Sequence, residues 1–169
     1  MDVKETLIEG NKSFQNKIDK AKAHDLVVNG QHPYAVVICC SDSRVIPELL
    51  FDKSLGEIFV IRTAGNVINE GELATVEYAI EHLHINYVMV LGHTHCGAVH
   101  AAMHKEKGQY LDPILSRIQL VITSNLDETE VSKLNALAQV RYIREKFPSY
   151  KGEVVAALYD IEKNDVVIL

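Results

Sequence analysis

The sequence predicts an α/β fold with a mainly parallel sheet. Apolar, β-branched runs of strand length alternate with segments of helical period, which implies right-handed βαβ units. No repeat, linker or low-complexity tract divides the chain. Its 169 residues, 47% of them hydrophobic, are enough to bury one core. The expectation is a single domain over residues 1–169, with residues 1–30 as a helical arm.

The elements follow in order. Val3, Leu7, Phe14 and Ile18 share one side of an amphipathic N-terminal helix. It precedes every strand, so it either covers its own sheet or reaches a partner subunit. Tyr34-Ala-Val-Val-Ile-Cys-Cys40 is apolar throughout and suits a strand buried on both faces. Ile58–Ile61 and Tyr87–Leu91 have the same character, Val154–Tyr159 makes a fourth strand, and Val166–Leu169 a short fifth after an Asn-Asp turn. Leu73, Val76, Ile80 and Leu83 mark a helix that opens with an Asn69-x-x-Glu72 capping box. Residues 98–107, 113–121 and 131–147 are further helix candidates.

Charge and composition narrow the function. Lys plus Arg number 17 against 23 Asp plus Glu, a net charge of -6 without a block of like charges, which argues against nucleic acid or anionic membrane as a partner. The longest apolar run, Tyr34–Cys40, is far short of the about 20 residues that span a bilayer. Met-Asp-Val-Lys-Glu at the start lacks the apolar core of a signal peptide. A cytoplasmic location is expected, where three cysteines serve as core, metal or catalytic thiols rather than disulfides.

Six of the eight histidines, His82, His84, His93, His95, His100 and His104, crowd into one stretch with Cys96. Cys40 ends the first buried strand, and His93 and Cys96 follow the third. In open parallel sheets functional groups gather at the carboxyl ends of strands. If these strands are neighbours, Cys40, His93 and Cys96 converge, and two thiolates with one imidazole suit Zn2+ with a fourth position open for water. Cys39 should point to the opposite face, while His95 competes with His93 as a ligand. The plainer alternative is a pair of small core cysteines. Asp42 and Arg44, just past the first strand, add chemistry to the set. Arg44 keeps Asp42 ionised, and Asp42 accepts a hydrogen bond that orients a zinc-bound hydroxide toward a small electrophilic carbon. His95, His100 and His104 are candidate proton shuttles. For His82 and His84, at a helix end, the dipole offers a structural reason.

Cys40-Ser-Asp-Ser-Arg-Val45 followed by Gly92-His-Thr-His-Cys-Gly-Ala98 resembles the β-class carbonic anhydrases, in their compact branch. The resemblance runs on through Gly56-Glu-Ile-Phe-Val-Ile-Arg-Thr-Ala-Gly-Asn66 and Thr75-Val-Glu-Tyr-Ala79. It implies zinc held by Cys40, His93 and Cys96, Asp42 and Arg44 as the catalytic dyad, and reversible hydration of carbon dioxide to bicarbonate. It also implies Asp42 as a conditional fourth metal ligand in a closed form. The fold implied is a parallel four-stranded sheet extended by a fifth strand, in a homodimer or an assembly of dimers whose N-terminal helices reach over the neighbour. Thr63 departs from the Asn of many members. Val37 stands where the subgroup with a regulatory bicarbonate pocket has Trp, so closure of that kind is not expected. Three alternatives stand beside this reading: a hydrolase of carbonyl sulfide or carbon disulfide on the same zinc, a non-catalytic zinc or thiol redox module, and a Cys96–His93 nucleophilic hydrolase.

Overall fold

The computed structural model describes residues 2–169. They form two compact units, residues up to His32 and residues from Pro33 onward. The first unit holds α1 (Val3–Lys17) and α2 (Lys20–Asn29). Two helices stand where the pattern suggested one. Ile18 is extended, and the Asp19 carboxylate accepts from the N–H groups of Ala21 and Lys22, starting a new helix. Neither helix buries a residue, and Val3, Leu7 and Phe14 are exposed.

The second unit contains β1 (Ala35–Cys39), α3 (Pro47–Leu50), β2 (Ile58–Arg62), a 3₁₀ turn (Ala64–Asn66), α4 (Glu70–Glu81) and β3 (Tyr87–His93). It continues through α5 (Gly97–Met103), α6 (Asp112–Gln119), α7 (Glu128–Lys146), β4 (Glu153–Asp160) and β5 (Asp165–Ile168). The sheet order is β2-β1-β3-β4-β5. The first four strands are parallel because helical crossovers connect them, whereas β4 and β5 are antiparallel and joined by a short turn. The fold class matches the sequence expectation, including the fifth strand and the Asn69–Glu72 capping box.

Strand position sets burial. All five residues of β1 are buried, whereas β2, read from its composition as buried on both faces, is half-buried because it forms the sheet edge. Alternation sorts the side chains. Val36, Ile38, Val88 and Val90 face Val76 and Ile80 of α4 and Ala136, Val140 and Ile143 of α7. Val37, Cys39, Met89 and Leu91 face the other way, against Leu50 and Phe51 around α3. That one-turn helix, started by Pro47, is too short to announce itself by periodicity. It leaves a hollow of about 500 Å³ lined by Tyr34, Val37, Phe51, Ile58, Tyr87 and Met89.

Two features hold α7 against the site-bearing part of the sheet. At Gly92 a Cβ atom would stand 3.1 Å from the Ser132 carbonyl oxygen, tighter than side chains ordinarily pack, so glycine favours this close approach of β3 to α7. Buried amides do the rest. Gln139 Oε1 accepts from Ile68 N–H at 3.0 Å, Gln139 Nε2 donates to Asn135 Oδ1 at 3.1 Å, and Asn135 Nδ2 donates to the Gly65 carbonyl at 2.8 Å. Gln139→Leu would strand the Ile68 N–H and one acceptor of Asn135. At about 1–3 kcal/mol for each unpaired buried group, the variant is expected to lose about 2–6 kcal/mol. Urea unfolding measures this, and an unchanged midpoint would show that the network contributes nothing.

Candidate metal centre and active site

β1 and β3 are adjacent, with Cys39 in register with Leu91. Cys40, one residue past β1, therefore lies beside His93, the last residue of β3, and Cys96 caps α5 immediately afterwards. The ligand atoms of Cys40, His93 and Cys96 all lie within 4.8 Å of one another, and all three residues are buried.

Each donor is oriented by its surroundings. His93 Nδ1 lies 2.8 Å from the Thr94 carbonyl, an acceptor, so Nδ1 carries the proton and Nε2 presents a lone pair. His93 Nε2 is fully buried without a hydrogen-bond partner. A buried unpaired imidazole nitrogen is costly in an apolar setting and is relieved by a metal ion. Cys40 Sγ accepts from the Gly65 N–H at 3.3 Å. Gly65 has φ +64, and a Cβ there would lie 2.9 Å from Ile118 Cδ1, so this donor too depends on glycine.

The two sulfurs share a proton. A hydrogen bond from the Cys96 thiol, opposed by burial and helped by the Gly65 N–H, holds the Cys40 thiol well below its ordinary value. Donating to Cys40, together with burial, raises Cys96, although the N–H groups of Val99 and Ala98 oppose this. A site that stabilises one thiolate and holds a second thiol beside it fits a cation that replaces the shared proton. The residues present thus fit zinc by donor chemistry and by the unpaired nitrogen of His93.

Asp42 and Arg44 are hydrogen-bonded to each other. Asp42 Oδ1 accepts from Arg44 N and Nε, both at 2.9 Å, and Oδ2 from Arg44 Nη2 at 2.7 Å. The guanidinium holds the Asp42 carboxyl well below the usual carboxylate range. Asp42 is not among the three gathered ligands. Its carboxylate is bound to Arg44 instead.

The remaining cysteine and the neighbouring histidines lie away from the cluster. Cys39 faces the α3 side of the sheet, and burial pushes its thiol up to about 12. His95, the alternative ligand, is exposed, its ring 3.2 Å from Glu162 and its carbonyl accepting from Arg44 Nη2 at 3.1 Å. His100, on α5, and His104, just past its end, are exposed.

Sequence reasoning passed over Arg62. Its Nη2 donates to the Asp42 carbonyl at 2.7 Å and its Nε to the Cys40 carbonyl at 3.3 Å, fixing the segment between ligand and dyad. Its place at the end of an apolar edge strand was the available signal. Nothing local marks Gly65 as a donor to a sulfur, because that contact spans two loops.

A family model described as carbonic anhydrase matches residues 35–166. Carbonic anhydrase 2 of Mycobacterium tuberculosis is 43% identical over 102 residues, covering 57% of this chain and 49% of the relative. The chain thus spans about half the length of that curated relative. Among solved structures, the β-carbonic anhydrase CcaA superposes with a TM-score of 0.85 at 29% identity, covering 99% of this chain and 95% of that one. A β-carbonic anhydrase of Sordaria macrospora, described as tetrameric, gives 0.76 at 26% identity, over 98% and 93% of the two chains.

Proposed function

The chain belongs to the β-class carbonic anhydrase family, and from that premise we propose that it catalyses the reversible hydration of carbon dioxide to bicarbonate and a proton. The observation that carries the reading is the buried Cys40–His93–Cys96 group, with His93 Nε2 unpaired and an ionised Asp42 two residues beyond Cys40. Cys40, His93 and Cys96 would hold the zinc, which supplies a Lewis acid able to make a hydroxide available near neutral pH.

The chain's own residues perform the rest. A carboxylate offers about four acceptor positions, and Arg44 takes three of those on Asp42. The remaining one accepts from the attacking oxygen. Having no proton of its own, Asp42 admits only a nucleophile that still carries hydrogen, and it fixes the lone pair of that oxygen toward the substrate carbon. Arg44 keeps Asp42 charged and immobile, and Arg62 holds the backbone beneath both. The expected result of stopped-flow carbon dioxide hydration is turnover that rises toward alkaline pH in protein carrying one zinc per chain. Protein that neither contains nor takes up zinc would overturn the reading. Carbon disulfide hydrolysis measured on the same sample tests the competing substrate.

The assembly proposed is a homodimer or a set of dimers, with residues 1–30 as an arm on the neighbour. The exposed apolar side of α1 supports it, as does the tetramer described for the Sordaria relative. Removing the residues before Lys20 should weaken the dimer in sedimentation, and an unchanged dimer dismisses the arm. Among the described residues no helix is long and apolar enough to cross a membrane. The three free cysteines support a reducing, cytoplasmic setting.

A further inference from the structure

The turn between β4 and β5 is bonded to the segment that joins two of the three buried donors. His93 is in register with Tyr159, so residues 94–96 leave the sheet next to the end of β4. Two bonds tie Thr94 there. Its N–H donates to the Tyr159 carbonyl at 3.0 Å, and its Oγ1 accepts from the Ile161 N–H at 3.0 Å. The His95 ring adds a third contact, 3.2 Å from Glu162 Oε1. The turn is itself fixed, because Asp160 Oδ1 accepts from the N–H groups of Glu162 and Lys163, and the Tyr159 hydroxyl donates to Asn164 Oδ1. The carbonyls of Thr94 and His95 serve the site instead. Thr94 O accepts from His93 Nδ1 at 2.8 Å, and His95 O from Arg44 Nη2 at 3.1 Å. His95 holds φ +56, a left-handed conformation that a non-glycine residue keeps only when its surroundings impose it. Thr94 is buried, so its bonds to β4 and the turn are shielded from water.

We propose that Thr94 is a positioning residue through which the β4–β5 turn braces the metal centre. With its N–H and its hydroxyl both anchored, Thr94 cannot swing, and its carbonyl keeps the His93 ring turned with Nδ1 engaged and Nε2 free for a metal. An outer partner of this kind sets both the tautomer and the orientation of a ligating histidine. The proposal rests on the zinc reading of Cys40, His93 and Cys96, and on no step of the reaction. A bond that only stabilised the fold would be equally strong with and without metal, and zinc affinity would not depend on it. A brace that orients His93 is coupled to the metal, so the two strengthen each other.

Zinc affinity of the full chain, measured by competition with a chelator of known strength, tests the proposal. Thr94→Val keeps the branched shape but removes the acceptor and strands the Ile161 N–H. Affinity should fall about tenfold, the lower end of the range for outer partners of metal ligands, because the hydroxyl acts one bond further out. Thr94→Ser, which restores the hydroxyl, should bind zinc as the wild type does. Hydrogen exchange of the wild-type protein tests the same coupling without a variant. Added zinc should slow exchange of the Ile161 N–H more than that of the Glu153 N–H, which donates to the Asn86 carbonyl at the far end of β4. A folded Thr94→Val protein with wild-type zinc affinity would overturn the proposal, and so would equal slowing at both amides. A wild type that takes up no zinc would overturn the zinc reading and the proposal together. Zinc binding without carbon dioxide hydration would count against the reaction alone.

Discussion

Cys40→Ser is expected to lose zinc and turnover together. A serine hydroxyl stays protonated where the Cys40 thiol is lowered by its hydrogen-bond donors, so the variant offers a neutral oxygen where the site is organised around an anionic sulfur. Losing an outer hydrogen-bond partner of a metal ligand typically costs about 10–100-fold in affinity, and losing the ligand itself exceeds that. The Gly65 N–H, which donates to the sulfur at 3.3 Å, would be left with a poorer acceptor. Metal analysis after dialysis should therefore find zinc well below one per chain, and carbon dioxide hydration should fall to the uncatalysed background. Circular dichroism separates this from unfolding. Full zinc occupancy in a folded Cys40→Ser protein would remove Cys40 from the ligand set and the proposed mechanism with it.

Asp42→Ala should do the opposite to zinc and nearly the same to rate. Asp42 is not among the gathered ligands, so metal content should stay near one per chain. Positioned proton acceptors are worth about 10²–10⁴-fold, and kcat should drop within that range. Stability should change little, because the Arg44 side chain is 51% exposed and exposed ion pairs contribute about 0–1 kcal/mol. The pH dependence carries its own sign. Arg44 lowers the Asp42 carboxyl, so any stabilisation from the pair is complete above the ordinary carboxylate value near 4. It is lost only as pH falls below that value toward the depressed native one. Asp42 therefore contributes no inflection between about pH 5 and pH 9, and an acid limb in that window belongs to another group. An unchanged rate in Asp42→Ala would exclude it from the chemistry.

Much of this was legible in the chain because short-range rules act strongly here. β1 and β3 are buried on both faces, so their runs of Val, Ile and Leu lack polar interruption, and the ends of those runs mark Cys40 and His93. Asn69 and Glu72 announce α4 by a local hydrogen-bond exchange. The failures share a different cause. β2 reads like a central strand because composition does not reveal that nothing pairs beyond it. α3 is one turn long, and the break at Ile18 depends on a single capping carboxylate at Asp19. Arg62 and Gly65 act through partners 20 or more positions away. The closeness of His93 and Cys40 required two strands to be neighbours, and only the sheet order establishes that.

The placement of the donors at the ends of β1 and β3 also links metal supply to folding. Cys40 and Cys96 are 56 positions apart (96 minus 40), and β2 and α4 lie between them in the chain. Before β3 docks beside β1 only the His93–Cys96 pair is at hand, so the proposed three-donor zinc site would be complete only after the slow non-local pairing that brings in Cys40. Once bound, the ion clasps two distant stretches of chain and favours the native ensemble in proportion to the free ion concentration. A cell starved of zinc would then hold a chain that opens more often and is degraded sooner, so abundance as well as activity would follow the metal.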